Sequence, residues 1–283
     1  MDTLLLNALN GLSWGMLLFQ IAVGLTTIFG VMGILNFAHG SLFMLGAYLC
    51  MQSMQLFGSF WFGLLVGPLG VAALGVLVER FLLRKIYSRD VTFQLLLTFA
   101  LLLILDDGVR MIWGSGCHVV EPPVLLSGVM TIAGQDYPIY RLFLIAVGPL
   151  IGGLLWAFFH FTSWGKVVRA AAFDNIMAEG VGINVPRIYA SVFALGAWLA
   201  ALGGALAAPQ QSLNPAMGEK IFIVVVGGGG MGSFPGAFVG ALLLGLLDSF
   251  GTVFAGRMQM AIPYLLLAVI LLFKPTGLFR KGV

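Results

Sequence analysis

The chain has 283 residues, of which 60% are hydrophobic and only 9% charged, with a net charge of +3. A soluble domain carries about 25% charged residues, so a charge-poor surface of this kind excludes a water-soluble protein and leaves lipid as the solvent. Apolar runs such as Leu95–Leu105 and Leu265–Phe273 are continuous rather than alternating, which excludes a β-barrel and predicts an all-α polytopic membrane bundle.

A bilayer core of roughly 30 Å needs about 20 apolar residues per helical crossing. On that measure the sequence predicts about eight spans, at 12–33, 41–57, 60–83, 92–113, 140–161, 188–208, 221–254 (interrupted) and 258–273. The whole chain, 1–283, then forms a single transmembrane domain. The start, Met1-Asp2-Thr3, lacks the basic n-region of a cleaved signal peptide, so the first apolar segment is expected to be retained. Arg84, Lys85 and Arg89 follow the third span, Lys166, Arg169 and Arg187 lie between the fifth and sixth, and Lys274, Arg280 and Lys281 end the chain. Basic residues favour the cytoplasmic side. This puts 84–91, 163–187 and the C-terminus inside, and 114–139, 209–220, the short turn near Arg257 and the N-terminus outside. The charge gives no nucleic-acid surface, and the basic residues sit at span ends.

The first span runs into GVMGILNFAHGSLFMLGAYL, Gly30–Leu49, where Asn36 and His39 interrupt an apolar run flanked by Gly30, Gly33 and Gly40. A related segment, VVVGGGGMGSFPGAFVGALLLG, lies at Val224–Gly245 in the other half, and Phe37-Ala38-His39-Gly40 aligns loosely with Phe234-Pro235-Gly236. Gly227 to Gly230 each weaken a helix by roughly 1 kcal/mol relative to alanine, and Pro235 lacks a backbone N–H. Non-helical backbone at membrane depth survives only inside protein or beside a water-filled cavity. Transporters with internal repeats place such broken helices beside the transported solute. The segments therefore predict a substrate path lined by Asn36, Phe37, His39, Gly40 and Ser41 on one side, and by Gly229, Gly230, Met231, Gly232, Ser233, Phe234 and Pro235 on the other. Asn36 and His39 can equally serve as hydrogen-bonding struts within the bundle.

Small residues at helical spacing, Gly63 and Gly67, Gly196 and Ala200, Gly236 and Gly240, predict close helix packing. Asp106 and Arg110 stand four apart at the outer end of the fourth span and can pair; Glu79 and Arg80 lie near the inner end of the third. Asp248 falls about a dozen residues past Gly236 and is expected at the outer boundary, since a buried charge costs about 2.5–3.5 kcal/mol. The outer stretch 114–139, with Pro122 and Pro123, predicts an ordered cap or short hairpin, in which His118 is a lone, exposed histidine without metal partners. Cys50 and Cys117 have no metal spacing; one disulfide or two free thiols are both compatible with their positions.

The inner stretch 163–187 is rich in helix formers from Lys166 to Glu179. Val167, Ala171, Asp174, Ala178 and Val181 share one face of a single helix. Gly180 and Gly182 end it, and Asn184 can cap the next span. A face of small residues under a membrane bundle suits docking into a groove of a partner.

NFAHGSLFMLGAYL, GINVPRIYASVFALGAWLAALGGALAAP and GGGGMGSFPGAFVGALLLG resemble recurrent motifs of the branched-chain amino-acid type permeases of ABC importers. The resemblance runs from about Asn10 to Arg280. It implies a membrane subunit paired with a second, homologous permease subunit, two cytoplasmic ATPases and an extracytoplasmic solute-binding protein, in a bacterial inner membrane. It also implies a coupling helix, here matched by Arg169, Ala170, Ala171, Asp174, Ala178, Gly182, Ile183 and Asn184, without the leading Glu of the general pattern. The chain has no Gly-x-x-x-x-Gly-Lys-Ser/Thr phosphate loop, as Met231 follows the glycine run. It is thus expected to be no enzyme, to hold no cofactor or metal, and to receive its energy from partners. An ATPase-independent secondary transporter or channel is the other class. An ABC permease for urea, amides or sugars is the nearer alternative.

Overall fold

The computed structural model of the chain describes residues 2–87, 89–132, 134–218 and 233–254, together with Leu265 and Leu272. Its helices are α1 (Asp2–Met32), α2 (His39–Phe57), α3 (Phe60–Phe81), α4 (Val91–Trp113), α5 (Ile139–Phe161), α6 (Ser163–Phe173), α7 (Asn175–Gly180), α8 (Val185–Ala207) and α9 (Phe234–Phe254). Among the described residues, five stretches are long and apolar enough to cross a membrane: Leu4–Met32, Phe60–Ile86, Ile139–Phe161, Val185–Ala207 and Phe234–Val253. The expected span 258–273, apart from Leu265 and Leu272, and the interruption within 221–254 fall outside the described residues.

The first helix begins at Asp2 rather than near residue 12. Leucines carry it through the polar Asn7 and Asn10, and Ser249 Oγ donates to the Asn7 carbonyl at 2.7 Å, which fixes this early turn against α9. Helices α1, α2 and α8 form the centre. α8 packs on α1, α2 and α3, and α9 lies along α1. The contacts run through glycine. A Cβ on Gly46 would strike the backbone of Ala201, and one on Gly204 would strike the carbonyl of Phe43, so α2 and α8 touch main chain to main chain. Gly245 meets Gly11 and Gly15 in the same way and joins α9 to α1. Lipid supplies no hydrophobic drive between helices, and such close approach replaces it with dispersion contacts. The outer faces of α3, α4 and α5 expose Leu65, Leu69, Leu96, Ile104, Leu150 and Leu154, a surface suited to acyl chains or to another membrane chain.

Two ends differ in charge. One gathers Arg80, Arg84, Lys85, Arg89, Lys166, Arg169 and Arg187, and its elements meet where Tyr87 sets its edge on Tyr189, 5.3 Å between ring centres. The opposite end carries the expected short hairpin, β1 (Val129–Ile132) against β2 (Gln135–Pro138), antiparallel with Val129 opposite Pro138. His118 is pinned there rather than exposed. Its backbone bridges Leu213, its Nε2 lies 3.1 Å from the Trp113 carbonyl, and Tyr48 flanks its ring. Cys50 is buried in α2, Cys117 is exposed, and both are free thiols.

Asp106 does not pair with Arg110. Asp107 takes the arginine at 2.9 Å on the exposed side, while Asp106 is buried and accepts the Ser41 hydroxyl at 2.6 Å. Arg110 lies on the solvent-facing side of α4, and α2 covers the face that holds Asp106.

Candidate functional site: the broken helix and the loop beneath it

Helix α1 stops where Gly33 takes φ +68 and its N–H returns to the Phe29 carbonyl at 2.9 Å. The left-handed conformation is free for glycine and strained for other residues. Asn36 then re-nucleates the chain. Its Oδ1 accepts from the Ala38 N–H and its carbonyl from the His39 N–H, both at 3.1 Å, the local bonding that makes asparagine a turn former. His39 opens α2 and sets Nε2 3.0 Å from the Ile21 carbonyl, so Nε2 carries the proton. Ile21 lies eleven residues before Met32, a helical rise of roughly 16 Å. Residues 33–38 therefore climb back beside α1, and α2 starts inside the bundle. Gly24 makes room for the imidazole, whose Cε1 lies 3.2 Å from where a Cβ would be.

Helix α4 holds the other side of the break. Thr98 Oγ1 reaches the Leu35 carbonyl at 3.4 Å, the Phe37 and Phe99 rings meet edge to face at 6.4 Å, and Leu101 and Leu102 cover Ala38. Asn36, His39, Gly40 and Ser41 are buried within the chain, and Phe37 is half-buried. The Asn36 amide nitrogen and His39 Nδ1 find no hydrogen-bond partner among the described residues. None of these five lines a cleft described below.

In the second segment Ser233 caps α9, its Oγ accepting from the Gly236 N–H at 3.3 Å. The Phe234 ring sits edge-on to Phe19 at 5.7 Å, and Pro235 is exposed in the first turn. Gly229, Gly230, Met231 and Gly232 fall outside the described residues.

The loop 163–187 departs from expectation in two ways. The single helix is two, because Asp174 is extended at φ −151 and its Oδ1 takes the Met177 N–H at 2.9 Å. An aspartate is a better N-cap than an interior helix residue. The alanine face also points inward. Ala171 and Ala178 are buried with Val185 and Tyr189 beneath Val31 and Met32. What faces outward is large and apolar: Phe173 at 93% exposure, Ile176 at 81%, Met177 at 70% and Val181 at 73%. Ala170 is exposed, and Arg169, also exposed, donates to the Phe159 carbonyl at the end of α5. Gly182 turns the chain at φ +89, Ile183 returns its N–H to Ala178, and Asn184 caps α8 by accepting from Arg187 N at 3.1 Å.

Two clefts join the parts. One of about 480 Å³ lies between Phe29–Gly33 at the end of α1 and Ala171–Asn175 with Tyr189. Another of about 330 Å³, largely apolar, is lined by Thr26, Gly30, Trp156, Val168, Arg169 and Phe234. The glycine-marked break, the first residue of α9 and the loop thus border one region at the basic end. Sequence reasoning missed Tyr189 and Trp156 there; Glu79, expected near the inner end of α3, is buried and accepts the Tyr87 hydroxyl. Burial first, and the Glu79 carboxylate second, push the Tyr87 phenol well above its ordinary value.

Residues 7–273 match the family described as branched-chain amino acid transport system, permease component. The chain belongs to this family. As a member of the branched-chain amino acid permease family it is a permease component of an ABC importer and a multi-pass membrane protein, not an enzyme. The high-affinity branched-chain amino acid transport system permease protein BraD of Pseudomonas aeruginosa is 30% identical over 292 residues, covering 96% of this chain and 94% of its own length. LivH of Escherichia coli K12, of the same description, is 29% identical with the same coverage. The ribose import permease protein RbsC of Haemophilus influenzae is 26% identical over 81% of this chain and 72% of its own length. A solved structure, PsaBC from Streptococcus pneumoniae in complex with Fab, has a TM-score of 0.52 at 14% identity, covering 94% of this chain and 91% of that one, a likeness of fold alone.

Proposed function

We propose that this permease carries branched-chain amino acids across a bacterial inner membrane. It pairs with a second, homologous permease subunit, two cytoplasmic ATPases and an extracytoplasmic binding protein. The basic end faces the cytoplasm, in keeping with the excess of Lys and Arg there, and about eight spans cross the bilayer. The observation that carries the mechanism is the cleft in which Gly30 and Gly33 of the α1–α2 break face Ala171 and Asp174 of the loop.

In this reading the loop 163–187 is the coupling element, and Phe173, Ile176, Met177 and Val181 dock into an apolar groove of an ATPase. Ala171, Ala178, Gly182, Ile183 and Asn184 hold that surface in shape, and the exposed Arg169, Ala170 and Asp174 belong to it. The chain carries no phosphate loop of its own, so work arrives as movement of α6 and α7. That movement is delivered to the end of α1 and the start of α9. In this reading Asn36, Phe37, His39, Gly40 and Ser41, together with 229–235, border the solute path as the subunits rock between inward- and outward-open states.

The test is reconstitution of the chain with its partner subunits and binding protein in proteoliposomes. ATP-dependent accumulation of leucine, isoleucine or valine is the expected result. Accumulation without ATPase subunits would make it a secondary transporter. Stimulation by ribose or fructose, and not by leucine, would move it to the sugar permeases.

A further inference from the structure

The two clefts at the basic end carry one sign of charge each: Asp174 in the one beside the end of α1, Arg169 in its apolar neighbour. At the opposite end lies a cleft of about 320 Å³ with both signs, lined by Asn10, Trp14, Arg141, Gln210, Gln211 and Asp248. The volume is at the small end of ligand pockets, which run about 300–1,000 Å³. Its walls are braced. Arg141 donates to the Asn10 side chain, Gln210 Nε2 reaches Ser13 Oγ at 3.4 Å, and Ser249 holds the Asn7 carbonyl. Next to Asn10 in sequence, Gly11 meets Gly245 and Leu246 at backbone distance and joins α1 to α9. Two polar atoms of the lining stay unused: the Gln210 Oε1 acceptor and the Gln211 Nε2 donor are buried without a partner among the described residues.

A guanidinium, a carboxylate and spare amide groups of both kinds around a small, braced cleft answer one ligand chemistry. We propose that this cleft is a receiving site for the zwitterionic head of a free amino acid, with Arg141 taking the α-carboxylate, Asp248 the α-ammonium, and Trp14 lying beside the side chain. Charge-assisted bonds to both groups give orientation as well as affinity. A sugar has neither charge, and desolvating the two side chains against it would be unfavourable. The inference rests on the amino-acid reading and adds an entry site, at the end of the bundle away from the ATPases, where solute arrives before the path opens.

The complete complex of permease and ATPase subunits, in nanodiscs without binding protein, is titrated with radiolabelled L-leucine. The competitors are 4-methylpentanoate, which lacks the amine, leucinamide, which lacks the carboxylate, and ribose. Wild type prefers leucine to all three. Asp248→Asn weakens leucine binding about tenfold to a hundredfold and no longer distinguishes leucine from 4-methylpentanoate. Arg141→Gln does the same toward leucinamide, whereas Arg141→Lys, which keeps the charge and controls for misfolding, retains the preference. Equal leucine affinity in wild type and Asp248→Asn, with leucine uptake intact, overturns the site and leaves the amino-acid reading standing. Uptake of ribose with refusal of leucine overturns that reading, and the site falls with it.

Discussion

His39 Nε2 lies 3.0 Å from the carbonyl oxygen of Ile21, so the first side chain of α2 is fastened to the middle of α1. This bond spans the break and holds α2 inside the bundle, with the imidazole in the space left by Gly24. His39→Ala removes the bond and leaves a cavity among backbones that cannot collapse onto it. A loss of about 2–4 kcal/mol is expected, as for other large-to-small core changes. The thermal midpoint of the purified protein in detergent reads it, and an unchanged midpoint would show that the imidazole is not a strut.

Ser41 and Asp106 connect α2 to α4 across 65 positions of sequence at 2.6 Å. A hydroxyl given to a buried carboxylate is worth about 1.5–3 kcal/mol. Ser41→Ala and Asp106→Asn should each destabilise the protein. The double variant should lose less than the sum, with a coupling of about 1 kcal/mol or more in a double-mutant cycle. Strict additivity would mean the two side chains do not depend on each other.

How much of this was legible in the sequence differs by residue. The break at 33–38 was, because Gly33 and Asn36 act locally: one supplies positive φ and the other caps its own turn. The two-helix form of 163–180 was not. Asp174 fits the periodicity of one long helix and also fits an N-cap, and only the packing of Ala171 and Ala178 against Tyr189 selects the cap. Asp106 misled for a related reason. Spacing of four allows a pair with Arg110, but which face of α4 is covered depends on Ser41, far away in sequence. The outward side of α6 and α7 was likewise undetermined, since amphipathicity names two faces without saying which one the bundle buries.

Tyr87 gives a pH signature. Its phenol is raised above the ordinary tyrosine value by burial and by Glu79, so the folded state holds the proton more tightly than the unfolded chain. The stabilisation is fully present below pH about 10, the unfolded value. It declines as pH rises past that point, by up to about 1.4 kcal/mol per pH unit. Tyr87→Phe should lower the midpoint at pH 8 and flatten its fall between pH 10 and 11 relative to wild type. Parallel curves for the two proteins would remove Tyr87 from the account.

Gly204 tests the backbone contact between α8 and α2. A Cβ there overlaps the Phe43 carbonyl oxygen, and a main-chain atom at a helix crossing cannot swing aside. Gly204→Ala should force the helices apart and cost about 1–3 kcal/mol despite alanine's higher helix propensity. Gly153, where an added Cβ meets nothing within 4 Å, is the control, and Gly153→Ala should be neutral or slightly stabilising. Monodisperse yield by size-exclusion chromatography separates the two.

The outward face of α6 and α7 supplies the last expectation. Phe173, Ile176, Met177 and Val181 are among the most exposed apolar side chains at the basic end, while the alanines beneath them hold the loop to Tyr189. Polar replacement outside and bulky replacement inside should therefore differ. Phe173→Ser with Met177→Ser leaves the internal packing untouched and should keep the thermal midpoint. If this face receives the ATPase, solute uptake falls at least tenfold and less ATPase co-purifies. Ala171→Leu overpacks a full site and should lower the midpoint itself, with uptake lost as a consequence. Gly182→Val strains a residue at φ +89 by about 1–3 kcal/mol and should reduce solute moved per ATP before it reduces assembly. Normal uptake by the Phe173→Ser, Met177→Ser double variant would mean that the motor engages another surface.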